Sequence, residues 1–190
     1  MADILNVYEG RADFELTQLG KQQAAQMAQW VCKHMQIDKI YSSPLKRAQQ
    51  TAGFLSRAAD REICLDDDLM EFQNGLIAGL PPEEANRKYP APAVKYPHTA
   101  VYNQESTLHF RMRAETVFSK IIYENNPDAT IAIVSHSGAI NMLFQCFLML
   151  PTVSGISIST GDTGIHKWQI QGEKRRVVFA NSQIHLQLSN

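Results

Sequence analysis

The chain has 190 residues, of which 44% are hydrophobic and 19% charged, with a formal net charge of -1. That length and apolar content fit one domain whose core needs no staples, and the near-zero charge excludes bulk attraction to nucleic acid or anionic lipid, so any anion site must be local. Three cysteines (Cys32, Cys64, Cys146) without C-x-x-C spacing argue against a disulfide framework or zinc knuckle and fit a reducing compartment.

No basic-then-apolar leader opens the chain, and the most apolar stretch, Ile140 to Leu150, is too short to cross about 30 Å of hydrocarbon. The expectation is a cytoplasmic protein with no membrane or nucleic-acid partner. No internal repeat or low-complexity tract is visible.

Leu16-Thr17 opens the first predicted helix, with Thr17 as N-cap and Ala24, Met27, Ala28, Val31 and Met35 at core spacing, ending near Gln36. Asp38 to Tyr41 is a short strand. Ser42-Ser43-Pro44-Leu45-Lys46-Arg47 then reads as a capped helix start with Pro44 in its first turn. Arg47 therefore sits near a helix N-terminus, where free N–H groups and a planar guanidinium can together grip a phosphate, although a solvated helix arginine fits the segment as well. Ile63 to Leu65 is a brief strand, and Asp66, Asp67 and Asp68 form a solvated turn rather than a metal site, because contiguous carboxylates cannot all converge on one ion. Glu71 follows between apolar neighbours. Partial burial would raise its pKa toward general-acid strength, and an ordinary surface glutamate is equally compatible.

Residues 80 to 105, rich in proline, read as loop with one short helix from Pro82 to Lys88, a natural place for a substrate-selecting wall in which Arg87, Lys88, Lys95 and His98 could touch an anion. Ser106 or Thr107 caps a long helix to about Asn126, with Phe110, Val117, Ile121 and Ile122 inward. The uninterrupted apolar run Ile131 to Val134 predicts a strand buried on both faces. His136 lies just past its carboxyl end, Gly138 permits a tight turn, and a helix follows. Ligands of open α/β sheets collect at that edge. Gly155 to Ser159, Thr163 to Ile170 and Arg175 to Asn181 read as outer strands. The sum is an α/β three-layer sandwich, a largely parallel sheet flanked by helices.

The series Gly10-x-x-Asp13-x-x-Leu16-Thr17-x-x-Gly20, Ser42-Ser43-Pro44-Leu45-x-Arg47-Ala48-x-Gln50-Thr51-Ala52, Leu69-x-Glu71 with Gly75 and Gly79, Glu105-Ser106, and Val134-Ser135-His136-Ser137-Gly138 resembles the histidine phosphatase (phosphoglycerate-mutase-like) superfamily over nearly the whole chain. The resemblance implies phosphomonoester hydrolysis through a phosphohistidine, with no metal or other cofactor and a small phosphorylated substrate. By position, Glu71 resembles the acid that protonates the leaving oxygen, His136 the second histidine of the site and Arg47 its second arginine. Ser137, Gly10 and Asp3 match phosphate-contacting places, Ser137 standing where glycine is commoner and Asp3 where asparagine is. The cationic pocket of such a site stabilises charge spread over the phosphoryl oxygens.

The family's nucleophile lies in an Arg-His-Gly motif at the end of the first strand, and this sequence contains no Arg-His-Gly. Two expectations compete. In one, residues 1–190 are a single domain, N-terminally shortened and without its first strand, of a phosphatase parent, and are themselves inactive. In the other they are a non-catalytic relative that binds a phospho-ligand or a protein. The first is favoured because removing a buried strand leaves unpaired backbone that selection should have repaired. A phosphoglycerate mutase is disfavoured by the short loop with only Arg87-Lys88. A serine hydrolase is disfavoured because G-x-S-x-G is absent, and a nucleotide-binding fold because neither glycine fingerprint occurs. Oligomeric state leaves no mark in the sequence.

Overall fold

In the computed structural model, residues 6–187 are described. Thr17 caps the first helix, α1 (Gln18–His34), its hydroxyl accepting from Gly20 N at 3.0 Å. Strand β1 (Lys39–Ser42) leads into α2 (Lys46–Ala59), and β2 (Ile63–Leu65) ends in a 3-10 turn over Asp67–Leu69. A second 3-10 turn (Gly75–Ile77) and α3 (Pro82–Lys88) precede α4 (Thr107–Glu124), which Ser106 caps through His109 N. Strand β3 (Ile131–Val134) runs into α5 (Ser137–Phe147), and β4 (Ile165–Gln171) and β5 (Lys174–Ser182) are followed by a 3-10 turn (Ile184–Leu186).

The three parallel strands lie in the order β2-β1-β3. Their side chains alternate between two apolar layers, as a period of two demands. Tyr41, Cys64, Ile131 and Ile133 face α4 and α5, packing with Val117, Ile121, Leu143 and Phe147, while Ile40, Ile63, Ala132 and Val134 face α1 and α2, packing with Met27, Val31, Ala52 and Leu55. The result is the helix-sheet-helix sandwich expected.

Several local expectations change. The second helix begins at Lys46, with Leu45 as an N-cap that makes no side-chain hydrogen bond; Pro44 stands outside it, and Asp13, 33 residues earlier, supplies the missing acceptor to Lys46 N at 2.7 Å. The first helix stops at His34 rather than Gln36, and Ile122 of α4 is 43% exposed. Gly138 lies in the first turn of α5 rather than in a preceding tight turn. All four residues of β3 are only half-buried, because among the described residues β3 pairs with β1 alone. Among the described residues the pair β4-β5 forms its own antiparallel sheet rather than an extension of the parallel one. Residues 155–159 form no strand: the amides of Gln145 and Asn141 on α5 hold Ile156 O and Ile158 N in place of a ladder.

The three cysteines are unpaired, and only Cys146 is fully buried. No described helix is long and apolar enough to cross a membrane.

Phe147 is 1% exposed and Tyr123 92%. Phe147→Ala is expected to cost about 3–5 kcal/mol and Tyr123→Ala to stay within about 0.5, read by urea unfolding; equal effects would show that the α4-α5 layer is not the core.

Candidate active site

Strands β1 and β3 pair with Ser42 opposite Val134, and Ser43 N continues the ladder to Val134 O at 3.0 Å. Both chains then leave the sheet at the same carboxyl edge, one into α2 and the other into α5. That geometry brings His136, 8% exposed, against Ser43, 0% exposed, with Nε2 2.8 Å from Oγ. Burial first, then the guanidinium groups of Arg47 and Arg113, push the His136 pKa down to about 3, so the imidazole is neutral at pH 7.

Arg47, second residue of α2, does not extend into solvent. Its side chain is 12% exposed: Nη2 donates to Gly10 O at 2.8 Å, Nη1 to Ala12 O at 3.1 Å, and Nε lies 3.3 Å from the Glu9 carboxylate. Gly10 is buried with φ +50°, and a Cβ there would press on the Asn74 side chain. Its visible contribution is this carbonyl.

Glu71 arrives from the segment after β2. Its carboxylate accepts from Gly138 N at 3.0 Å and from Phe72 N at 2.8 Å, so it is seated on the first turn of α5, beside exposed Ser137. A Cβ on Gly138 would run into that carboxylate, and this close approach is why the position holds glycine. Seated at a helix N-terminus, a carboxylate is held by free N–H groups and by the positive end of the dipole.

The structure therefore joins Gly10 to Arg47, Arg47 to the surroundings of His136, and Glu71 to the helix that Ser137 begins. Asp3 lies outside the described residues. The loop cations Lys88 and His98 are engaged elsewhere, Lys88 with Glu84 of its own helix and His98 stacked on Tyr96. Among the described residues no group of three or more His, Cys, Asp or Glu is placed to hold a metal ion.

Sequence reasoning missed Arg113, and Glu105 entered it only as part of a motif. Arg113 Nη1 donates to Asp68 O and Met70 O and Nη2 to Glu71 O, while Nε and Nη2 both reach the Glu105 carboxylate. Glu105 in turn accepts from Gln73 N. Arg11 adds a bond from Nε to Glu71 O at 3.2 Å and lies 3.8 Å from Glu105; burial and neighbouring Arg113 hold its pKa below the usual value. The available signal was an arginine three residues after Phe110, flanking the inward stripe of α4.

The sequence matches the model of the histidine phosphatase superfamily (branch 1) over residues 3–183. The chain belongs to that superfamily. It is 30% identical over 144 residues to phosphoserine phosphatase 1 of Hydrogenobacter thermophilus, an alignment covering 74% of this chain and 68% of that one. It is 32% identical over 143 residues to phosphoglycerate mutase-like protein 4 of Arabidopsis thaliana, covering 72% and 62%. In fold it is similar to the α-ribazole phosphatase of Shigella flexneri (TM-score 0.86, 21% identity, 96% and 92% covered). A mycobacterial glucosyl-3-phosphoglycerate phosphatase in complex with VO3 is also similar (TM-score 0.80, 24% identity, 95% and 93% covered).

Two outcomes test the geometry. Arg113→Ala removes the nearest cation from the Glu105 carboxylate, 11% exposed, leaving it Gln73 N and Arg11 at 3.8 Å, and removes a donor from the carbonyls of Asp68, Met70 and Glu71; it is expected to cost about 3 kcal/mol in urea unfolding. His136 carries a folded pKa below its unfolded value near 6.5. The unfolded chain therefore takes up a proton that the folded one refuses, and stability falls as pH drops from about 6.5 toward about 3. His166 and His185, also lowered by burial, act in the same direction, so the difference between wild type and His136→Gln isolates His136. The variant is expected to flatten the stability-pH slope by up to about 1.4 kcal/mol per pH unit.

Proposed function

We propose that this chain carries the acid and cationic halves of a phosphomonoester site, that it binds phosphate weakly, and that by itself it does not turn a phosphomonoester over. On this reading Arg47 and neutral His136 face the phosphoryl oxygens with the N–H groups of Ser137 and the first turn of α5. Glu71 stands to the leaving-oxygen side, in the place the acid holds in an active parent. The dianion brings negative charge beside His136 and offsets the repulsion from Arg47 and Arg113, which adds to burial in keeping the imidazole unprotonated. No metal ion or other cofactor enters the scheme. The observation that carries the proposal is the meeting of Glu71, His136 and Arg47 at one carboxyl edge of the sheet, in a sequence that contains no Arg-His-Gly.

We read residues 1–190 as one domain shortened from an active phosphatase parent rather than a settled binding module. What supports this is the sheet. Strand β4 shares both apolar layers with β3, through Trp168 on one side and Ile165 on the other, yet among the described residues the two do not pair. An extended segment between them would complete the ladder and bring its carboxyl end toward His136. The phosphatases among the relatives support a small phosphorylated substrate, and the three unpaired cysteines fit a reducing compartment such as the cytoplasm.

With para-nitrophenyl phosphate, the chain is expected to show no turnover above background, and the same chain extended upstream by a strand ending in Arg-His-Gly is expected to hydrolyse it. Turnover by the unextended chain that disappears in His136→Ala would overturn the first expectation. Failure of the extended, folded chain would leave the non-catalytic reading in its place.

A further inference from the structure

Ser43 and His136 are buried polar side chains that meet at the carboxyl edge of the sheet, and the 2.8 Å between Oγ and Nε2 fits a hydrogen bond running in either direction. The other bonds of Ser43 decide which. Its main-chain N–H donates to Val134 O and its carbonyl accepts from Ser42 Oγ, so the residue is pinned on both sides of its side chain. The hydroxyl oxygen accepts from Leu45 N at 3.3 Å. A hydroxyl has one hydrogen and two lone pairs. If Nε2 donated as well, both lone pairs would be taken, and the hydrogen of a fully buried hydroxyl would be left without an acceptor at the full cost of desolvating it. If the hydroxyl donates to Nε2, every polar group of Ser43 is satisfied. Nε2 is then an acceptor, and a neutral imidazole whose Nε2 accepts carries its hydrogen on Nδ1.

Among the described residues Nδ1 of His136 makes no hydrogen bond, and it is not sealed from solvent as Nδ1 of His185 is. We infer that Ser43 is a positioning residue of the phosphate site: its hydroxyl donates to His136 Nε2, holds the imidazole in the Nδ1–H form, and so presents an anion with an N–H rather than a lone pair. This inference rests on the assignment of His136 to phosphate. In the other tautomer the same nitrogen would turn a lone pair on the phosphoryl oxygens and repel them. The hydroxyl of Ser43 therefore makes a donor of an uncharged ring. Other histidines are held in the opposite form. Asn181 N donates to His166 Nδ1 at 3.2 Å, so His166 carries its hydrogen on Nε2, 3.0 Å from Thr160 Oγ1. The Thr163 hydroxyl donates to Asp162 O at 2.8 Å, so its oxygen accepts from His185 Nε2 at 2.9 Å.

The test reads the ring nitrogens directly. In a long-range proton–nitrogen correlation spectrum of histidine-labelled wild type at pH 7, His136, assigned by the loss of its signals in His136→Gln, is expected to show a protonated Nδ1 and a bare Nε2. His166 and His185 are expected to show the reverse in the same spectrum. This readout stands whether or not the Ser43 variants fold. Inorganic phosphate is then titrated by calorimetry, at fixed pH and ionic strength. Ser43→Ala is expected to bind it about fivefold more weakly than wild type, and Ser43→Thr, which keeps the hydroxyl, to restore most of that loss. His136→Ala is expected to bind still more weakly, with Ser43→Ala adding nothing in that background. Hydrogen on Nε2 of His136 in wild type would overturn the role of Ser43 and leave the phosphate site standing. Equal affinity of wild type and Ser43→Ala, with His136→Ala impaired, would do the same. Equal affinity of wild type and His136→Ala, or no phosphate binding by any of these proteins, would overturn the phosphate site and the inference with it.

Discussion

The parallel register of β1 and β3 is the constraint on which everything else is built. With Ser42 opposite Val134, the next residue of each strand is the last that the ladder can hold, and each chain must turn into a helix at the same height. The hydrogen bond between His136 and Ser43 is the consequence, and so is the convergence of two helix N-termini on one edge. A slip of one residue would send Tyr41 and Ile40 to the wrong layers, each into a core built for the other. The apolar packing of both faces therefore holds the position of the site residues.

Much of this was legible because it depends on local pattern. The spacing of Ala24, Met27, Ala28 and Val31 marks the buried face of α1, and Thr17 and Ser106 cap helices as their side chains permit. The apolar run Ile131 to Val134, ending in Ser-His-Ser-Gly, placed His136 at the carboxyl edge. Some residues quoted for the family pattern have structural work that the pattern alone could not reveal. Asp13 caps α2 from a distance, Gln50 holds Leu16 N through its side-chain oxygen at 2.8 Å, and Thr51 bonds back to Arg47 O. Each joins segments that a linear reading keeps apart.

What was not legible depends on contacts across long sequence distances. Whether a strand is buried follows from what pairs with its edges, so the composition of β3 indicated two covered faces without showing that all four residues stay half-exposed. Arg113 drew no notice in the sequence, yet it spans 42 to 45 residues to hold the carbonyls of Asp68, Met70 and Glu71. Glycine at position 138 signals a turn by propensity, but its reason is steric: the Glu71 carboxylate occupies the space a side chain would need. The strands drawn at residues 155–159 failed because two side-chain amides on α5 satisfy that backbone instead.

The charge around the site follows from the same long-range contacts. Three guanidinium groups, Arg11, Arg47 and Arg113, are set among three carboxylates, Glu9, Glu71 and Glu105, and His136 between them is neutral. These groups sum to zero, which matches a chain with little net charge and means that long-range attraction contributes little to anion capture. Anion capture at such an edge rests on directed N–H donors at short range rather than on net charge. The bonds of Arg113 to three carbonyls and to nearly buried Glu105 tie it to the backbone that carries Glu71. Arg47 donates to the carbonyls of Gly10 and Ala12 and lies 3.3 Å from the Glu9 carboxylate. The two arginines therefore tie different segments to the same edge of the sheet, Arg113 the backbone that carries Glu71 and Arg47 the turn of residues 9–12.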